Sequence, residues 1–139
     1  DLRMSRGLGD VYKRQLHVLG TFSTINSVGS KFNGFVNEFF GSFILFFGAL
    51  GITKAPFFQN NLGTAHLALG FLVWTLVASF GGPTGPGLNP ARDLGPRIMH
   101  AILPLKHKGD SQWSYSWVPV LAPIIASIVA IALYKALFI

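Results

Sequence analysis

Apolar residues along this chain fall into long runs that charged residues interrupt at few places. Within residues 32–53 the only charge is Glu38, and residues 55–91 and 111–134 carry none. Each of these stretches is long enough for the ~20 residues that a helix needs to cross the hydrocarbon core of a bilayer. The pattern predicts transmembrane helices near 33–52, 64–82 and 117–137.

The middle stretch is too long for one helix and contains the sequence GGPTGPG at residues 81–87. Glycine and proline at this density disfavour a helix, so we expect helix 64–82 to stop there. An uncharged, irregular segment beside a membrane helix is either an exterior loop or a re-entrant segment that lines a cavity. Asn89 followed by Pro90 is a typical helix start, and a helix over 89–103 would be too short to span. We therefore predict a half-helix.

The remaining segments are polar. Residues 1–15 hold charges and no apolar run, and we expect them to be disordered or unrelated to the rest of the chain. Residues 16–31 and 104–116 are predicted to be polar loops. The fold argument therefore begins at residue 16.

Composition places these segments in a membrane protein. Of 139 residues, 50% are hydrophobic and 12% are charged, with a mean hydropathy of +0.48. Soluble domains carry roughly 25% charged residues. The net charge of +6 is scattered along the chain, which disfavours a nucleic-acid partner. With no cysteine, disulfides and thiolate chemistry are excluded.

Residues 85–93, GPGLNPARD, resemble the second signature loop of the major intrinsic protein family, the aquaporins and glycerol facilitators. The surrounding order also resembles it, with an acidic helix upstream, Gly95-Pro96 afterwards and a Trp/Pro-containing last helix. The resemblance covers residues 16–139. It implies an all-α, aquaporin-like membrane fold, of which this chain is the second inverted repeat, with three transmembrane helices and one re-entrant half-helix.

The resemblance implies a pore along the re-entrant segment. Asn89 would donate its amide N–H groups to a solute, and backbone carbonyls before it would accept hydrogen bonds. The positive end of the half-helix dipole would repel protons and cations. Arg92 would line the outer constriction; the alternative is an interfacial arginine that reaches the lipid headgroups. The implied pore and selectivity residues are Val77, Gly85, Pro86, Gly87, Leu88, Asn89, Pro90, Ala91 and Arg92.

Three further charged residues are expected to support the structure. The resemblance implies that Glu38 is buried and accepts hydrogen bonds from the re-entrant backbone; an interfacial position is the alternative. Asp93 and Arg97 are spaced i,i+4 and can pair on the half-helix. That local role is favoured over direct contact of Asp93 with solute.

The filter resembles the glycerol branch in part. Asp93 with Arg97 four residues later, and Pro119 followed by Val120, resemble glycerol facilitators. Val77 stands where many water channels carry histidine, and Pro86 stands where glycerol facilitators carry an aromatic residue. We therefore predict passive diffusion of glycerol and other small neutral solutes. Water, urea, peroxide or lactic acid are alternative solutes within the same family.

Other classes of function remain alternatives. Part of a coupled secondary transporter would also contain broken helices, and a non-conducting assembly piece is a further candidate. An enzyme is disfavoured because no catalytic constellation is present. His66 and His100 stand alone, so no metal or cofactor is expected.

The resemblance also implies a homotetramer. The short loops and the glycerol-type pattern predict a multi-pass protein of a bacterial plasma membrane. The Asn-Pro-Ala motif occurs once in this sequence. We therefore expect the chain to be half of a pore, and we expect it not to conduct alone.

Overall fold

The computed structural model describes residues 2–27, 29–85 and 87–139, and side chains from residue 9 onward. Within these ranges the chain is helical and contains no strand. Three of the described helices are long and apolar enough to cross a membrane, namely Lys31–Lys54, Leu62–Thr84 and Val118–Phe138. The predicted all-α membrane class is confirmed. The helices are α1 (Leu2–Phe22), α2 (Lys31–Lys54), α3 (Pro56–Gln59), α4 (Leu62–Thr84), α5 (Pro90–Ile102) and α6 (Val118–Phe138).

The helices α2, α4 and α6 begin and end within about two residues of their predicted limits, as apolar run length alone dictates. The half-helix α5 begins at Pro90, directly after its N-cap Asn89. Its 13 residues are too few to span a bilayer. The predicted loop over 104–116 contains no helix.

The Gly/Pro-rich sequence predicts that α4 ends near residue 82, and the observed end lies slightly further along the chain. The helix continues through Pro83 to Thr84. Hydrogen bonds from α2 stabilise this last turn, because the Asn37 side chain donates to the Phe80 carbonyl at 2.8 Å. The Thr84 hydroxyl in turn donates to Glu38 at 2.6 Å. Such tertiary partners compensate for the poor helix propensity of the sequence.

The prediction of a loop over residues 16–31 is wrong at its start, because α1 extends to Phe22. The helix also covers residues 2–15, where the sequence predicts disorder or an unrelated segment. Its apolar residues Leu16, Leu19 and Phe22 recur every third residue, which is a helical spacing. Leu19 is buried, and the Phe22 ring meets that of His100 edge-on with 5.6 Å between centroids.

The most extensive helix contact joins α2 to α6. The buried residues of α6 include small ones at i,i+4 spacing along its middle, Ala122, Ala126 and Ala130, which we call the alanine stripe. Small side chains let membrane helices approach closely. By contrast, α4 buries only Ala65, Leu76 and Thr84 among the residues described. Its outer face is therefore open.

Candidate pore site

Glu38 on α2 holds the re-entrant segment in place. The side chain is 1% exposed. One carboxylate oxygen accepts the Leu88 backbone N–H at 2.8 Å, and the other accepts the Thr84 hydroxyl at 2.6 Å. A carboxylate this buried does not face lipid headgroups. Its partners are the last residue of α4 and the re-entrant backbone, which is the arrangement that the family resemblance implies.

The chain beside Glu38 leaves no room for a larger residue. The Gly87 backbone lies against the Glu38 carboxylate, so that a Cβ atom there would collide with both oxygens. Leu88 adopts a positive φ of 57°, which is unfavourable for a residue with a side chain. Its backbone hydrogen bond to Glu38 and the contact of its side chain with Gly41 stabilise this conformation.

Asn89 starts the half-helix α5. Its backbone is extended, and its side-chain oxygen accepts the Ala91 N–H at 2.9 Å. Pro90 occupies the first helical position, where no backbone donor is needed. Because the amide oxygen bonds to the helix, the amide NH₂ group is what Asn89 offers to the space beside it.

That space is a cavity of about 560 Å³. Polar groups of the half-helix line one part of it, and apolar side chains of α2 and α4 line another. Its lining residues are Leu45, Phe46, Val73, Val77, Gly87, Leu88, Asn89, Pro90 and Arg92.

Six of the nine predicted pore residues line this cavity. Ala91 is exposed and Gly85 is partly buried, and neither lines it. Pro86 lies outside the described residues. Sequence reasoning missed Leu45, Phe46 and Val73; Val73 lies one helical turn before Val77, and that spacing was the available signal.

Arg92 contributes its side chain to the cavity. Its Nη1 atom is buried, and no hydrogen-bond partner for it occurs in residues 9–27, 29–85 and 87–139. A buried guanidinium N–H without a partner is costly. Arg92 therefore lines the cavity, while its Nη1 donor has no partner among the described residues.

Asp93 and Arg97 form the ion pair that their spacing predicts, and both side chains are 0% exposed. The pair is bidentate, with Arg97 Nε and Nη2 each 2.8 Å from an Asp93 oxygen. The remaining Arg97 donors reach the carbonyls of Ser111 at 2.6 Å and Thr24 at 2.8 Å. We call Thr24, Asp93, Arg97 and Ser111 the arginine cluster. Asp93 is therefore turned away from the cavity.

The histidines are not arranged as metal ligands. The buried His100 lies 2.8 Å from the Ser111 hydroxyl through Nδ1, whereas His66 is exposed on α4. No group of three metal-ligating side chains occurs in the part of the chain that the structure describes.

In the loop after α5, burial raises the pKa of the Tyr115 phenol, so this group stays neutral.

Comparison with known proteins agrees with this geometry. The sequence profile of the family described as "Major intrinsic protein" matches residues 7–134. The chain belongs to the major intrinsic protein family. The match begins inside residues 1–15, and the boundary expected at residue 16 stays a prediction.

Similar proteins bear names from the glycerol branch. The chain is 51% identical to "Glycerol uptake facilitator protein-like 5" of Lactiplantibacillus plantarum, over 87% of this chain and 48% of that protein. It is 44% identical to "Glycerol facilitator-aquaporin gla" of Lactococcus lactis, over 87% of this chain and 58% of that protein. It is 47% identical to "Probable glycerol uptake facilitator protein" of Thermotoga maritima, over 86% of this chain and 50% of that protein.

These names confirm the predicted resemblance to glycerol facilitators. The chain spans about half the length of the relatives it matches. All three are bacterial proteins.

Proposed function

We propose that this chain is the C-terminal half of a passive channel for glycerol and other small neutral solutes. The observation that carries the proposal is the two-sided lining of the cavity beside α5. Asn89 and Arg92 supply hydrogen-bond donors, while Val73, Val77 and Phe46 supply apolar surface. A polyol carries hydroxyls on one edge and C–H groups on the other, so both sides of the lining have a match.

The two donors act at different places. The Asn89 NH₂ group would bind a solute oxygen at the start of the half-helix, where the helix dipole is positive. Arg92, which also lines the cavity, would bind a second oxygen one helical turn further along. A solute exchanges water for these groups, whereas a cation meets only positive potential.

The two acids near the re-entrant segment argue against a coupled transporter. A coupling acid must be free to take up and release an ion. Both Glu38 oxygens accept hydrogen bonds from Leu88 and Thr84, and both Asp93 oxygens face Arg97. Both carboxylates therefore act in the architecture, and transport follows the solute gradient.

The other half of the pore belongs to a segment outside this sequence. The length of the relatives supports this, as does the open outer face of α4, where Leu67, Phe71 and Trp74 are each more than half exposed.

By analogy with the family we propose a homotetramer in a bacterial plasma membrane. Water, urea, peroxide and lactic acid are the next candidate solutes.

Stopped-flow light scattering of proteoliposomes tests the proposal, using the full-length channel that contains these residues. We expect glycerol flux well above that of empty liposomes and sorbitol flux close to theirs. Replacing Arg92 with Ala should admit larger or charged solutes. Glycerol flux equal to that of empty liposomes would remove the proposal, and unchanged selectivity in R92A would remove the assigned role of Arg92.

A further inference from the structure

Residues 23–27, which we call the strap, follow α1 in the chain and lie against the re-entrant region without lining its cavity. Thr24 in the strap is 1% exposed. Its backbone N–H donates to an Asp93 oxygen at 2.8 Å, and its hydroxyl donates to the same oxygen. Its carbonyl accepts from Arg97 at 2.8 Å. One residue of the strap thus bonds to both members of the buried ion pair.

The strap also bonds to the chain on the other side of the re-entrant segment. The Ile25 N–H donates to the Thr84 carbonyl at 3.0 Å, and the Ser27 N–H donates to the Pro83 carbonyl at 3.1 Å. Pro83 and Thr84 end α4, directly before the segment begins. The strap therefore ties the start of the re-entrant segment to the half-helix that follows it.

This bridge matters because it holds the two ends of a segment that Glu38 anchors in the middle. Residue 85 and residues 87–89 are not helical, and Leu88 bonds to Glu38 through its backbone N–H. At the half-helix, the one bond of the Asn89 side chain among the described residues is to Ala91 in its own helix. The distance between the re-entrant backbone and Arg92 then depends on the contacts that hold the two ends of the segment. One of these contacts is made by Asp93 of the arginine cluster, which directly follows Arg92 in the chain.

We propose that Thr24 is a positioning residue for the solute filter. Through Asp93 it sets the distance of Arg92 from the re-entrant backbone, and so determines the largest solute that passes. The inference rests on the proposed function and adds to it a residue outside the pore that controls its selectivity.

The hydroxyl can be removed with little disturbance of the fold. In Thr24→Val the side-chain shape is kept, and both backbone bonds to Asp93 and Arg97 remain. The Asp93–Arg97 pair also keeps its two bonds. Thr24→Ser restores the hydroxyl. Thr21 is a matched control, because it is exposed and its hydroxyl bonds to the Val18 carbonyl within α1.

The first measurement is the ratio of ribitol to glycerol flux in proteoliposomes of the full-length channel. Loss of one charge-assisted hydrogen bond corresponds to about a tenfold change in rate if expressed fully in one of the two fluxes. We expect T24V to change the ratio by up to about tenfold, T24S to restore it and T21V to leave it unchanged. If T24V does not insert, T24A gives the same comparison. If T24V only reduced the amount of protein and left the flux ratio unchanged, the proposal would be overturned.

The second measurement does not depend on glycerol transport. The chain contains no cysteine, so Ala91→Cys introduces a single thiol on the exposed side of the half-helix once any cysteines outside these residues are replaced. The rate at which this thiol reacts with a charged methanethiosulfonate reports on the position of the half-helix. We expect T24V to change that rate and T24S to restore it. A wild-type protein without glycerol flux whose A91C rate still responds to T24V would overturn the proposed function and retain the positioning role. Equal rates in all variants would overturn the positioning role.

Discussion

The arginine cluster and the alanine stripe are both fully buried, yet different forces hold them. The cluster joins three segments distant in sequence through directional bonds, with Arg97 donating to Thr24, Asp93 and Ser111. The stripe on α6 offers only close contact between helices, and lipid tails offer similar contact at similar free energy. Helix packing therefore assembles the scaffold, whereas the polar contacts hold the half-helix in position.

The largest effect should come from unpairing the buried charge. Replacing Arg97 with Met leaves Asp93 buried without its partner, which costs about 3–5 kcal/mol. We expect the full-length channel to lose most of its folded, monodisperse fraction, measured by size-exclusion chromatography after heating. Arg14→Met is the control, because Arg14 is exposed on α1. Equal heat resistance of the two variants would show that the cluster does not hold the half-helix.

The next effect should follow from filling the space beside Glu38. Gly87→Ala places a Cβ atom on the carboxylate, which we expect to cost about 3 kcal/mol, the upper end for overpacking. Glycerol flux should fall with it, because Leu88 loses its backbone partner. Gly95→Ala on α5 meets nothing within 4 Å and should be neutral or stabilising. Normal flux in G87A would contradict the role of this contact.

A smaller effect is expected in the alanine stripe. Ala126→Leu overpacks the seam between α6 and α2 by about 1–2 kcal/mol, the lower end of the range, since α6 can shift toward lipid. The transition temperature should fall while the ribitol to glycerol flux ratio is retained. The matched control is Ile128→Leu, at a position 63% exposed. A changed flux ratio in A126L would mean that the scaffold and the filter are not separable.

The smallest effect concerns the end of the half-helix. Lys108 donates to the carbonyls of Ala101 and Leu103 and so caps α5. Lys108→Met should lower stability by about 0.3–1 kcal/mol, as expected for a cation at a helix C-terminus. The exposed Lys106, changed to Met, serves as the control in the same heating experiment. Identical curves for K108M and K106M would remove Lys108 from the contacts that hold α5.

Apolar run length and the Asn89-Pro90 cap were sufficient to predict α2, α4, α5 and α6, because both are local properties. The last turn of α4 could not be predicted that way, since it depends on a hydrogen bond donated by Asn37 and one accepted by Glu38, which are more than 40 residues away. The motif likewise pointed to Asn89 and Arg92. It carried no information on the strap, whose bonds to Asp93 span 69 residues.

The central claim is that solute moves passively past Asn89 and Arg92. Its most direct test is the initial rate of glycerol uptake into proteoliposomes of the full-length channel, at rising glycerol gradients, with and without a protonophore and a sodium ionophore. The account predicts rates above those of empty liposomes that rise in proportion to the gradient and do not respond to either ionophore. Rates equal to those of empty liposomes, or uptake that either ionophore abolishes, would contradict it.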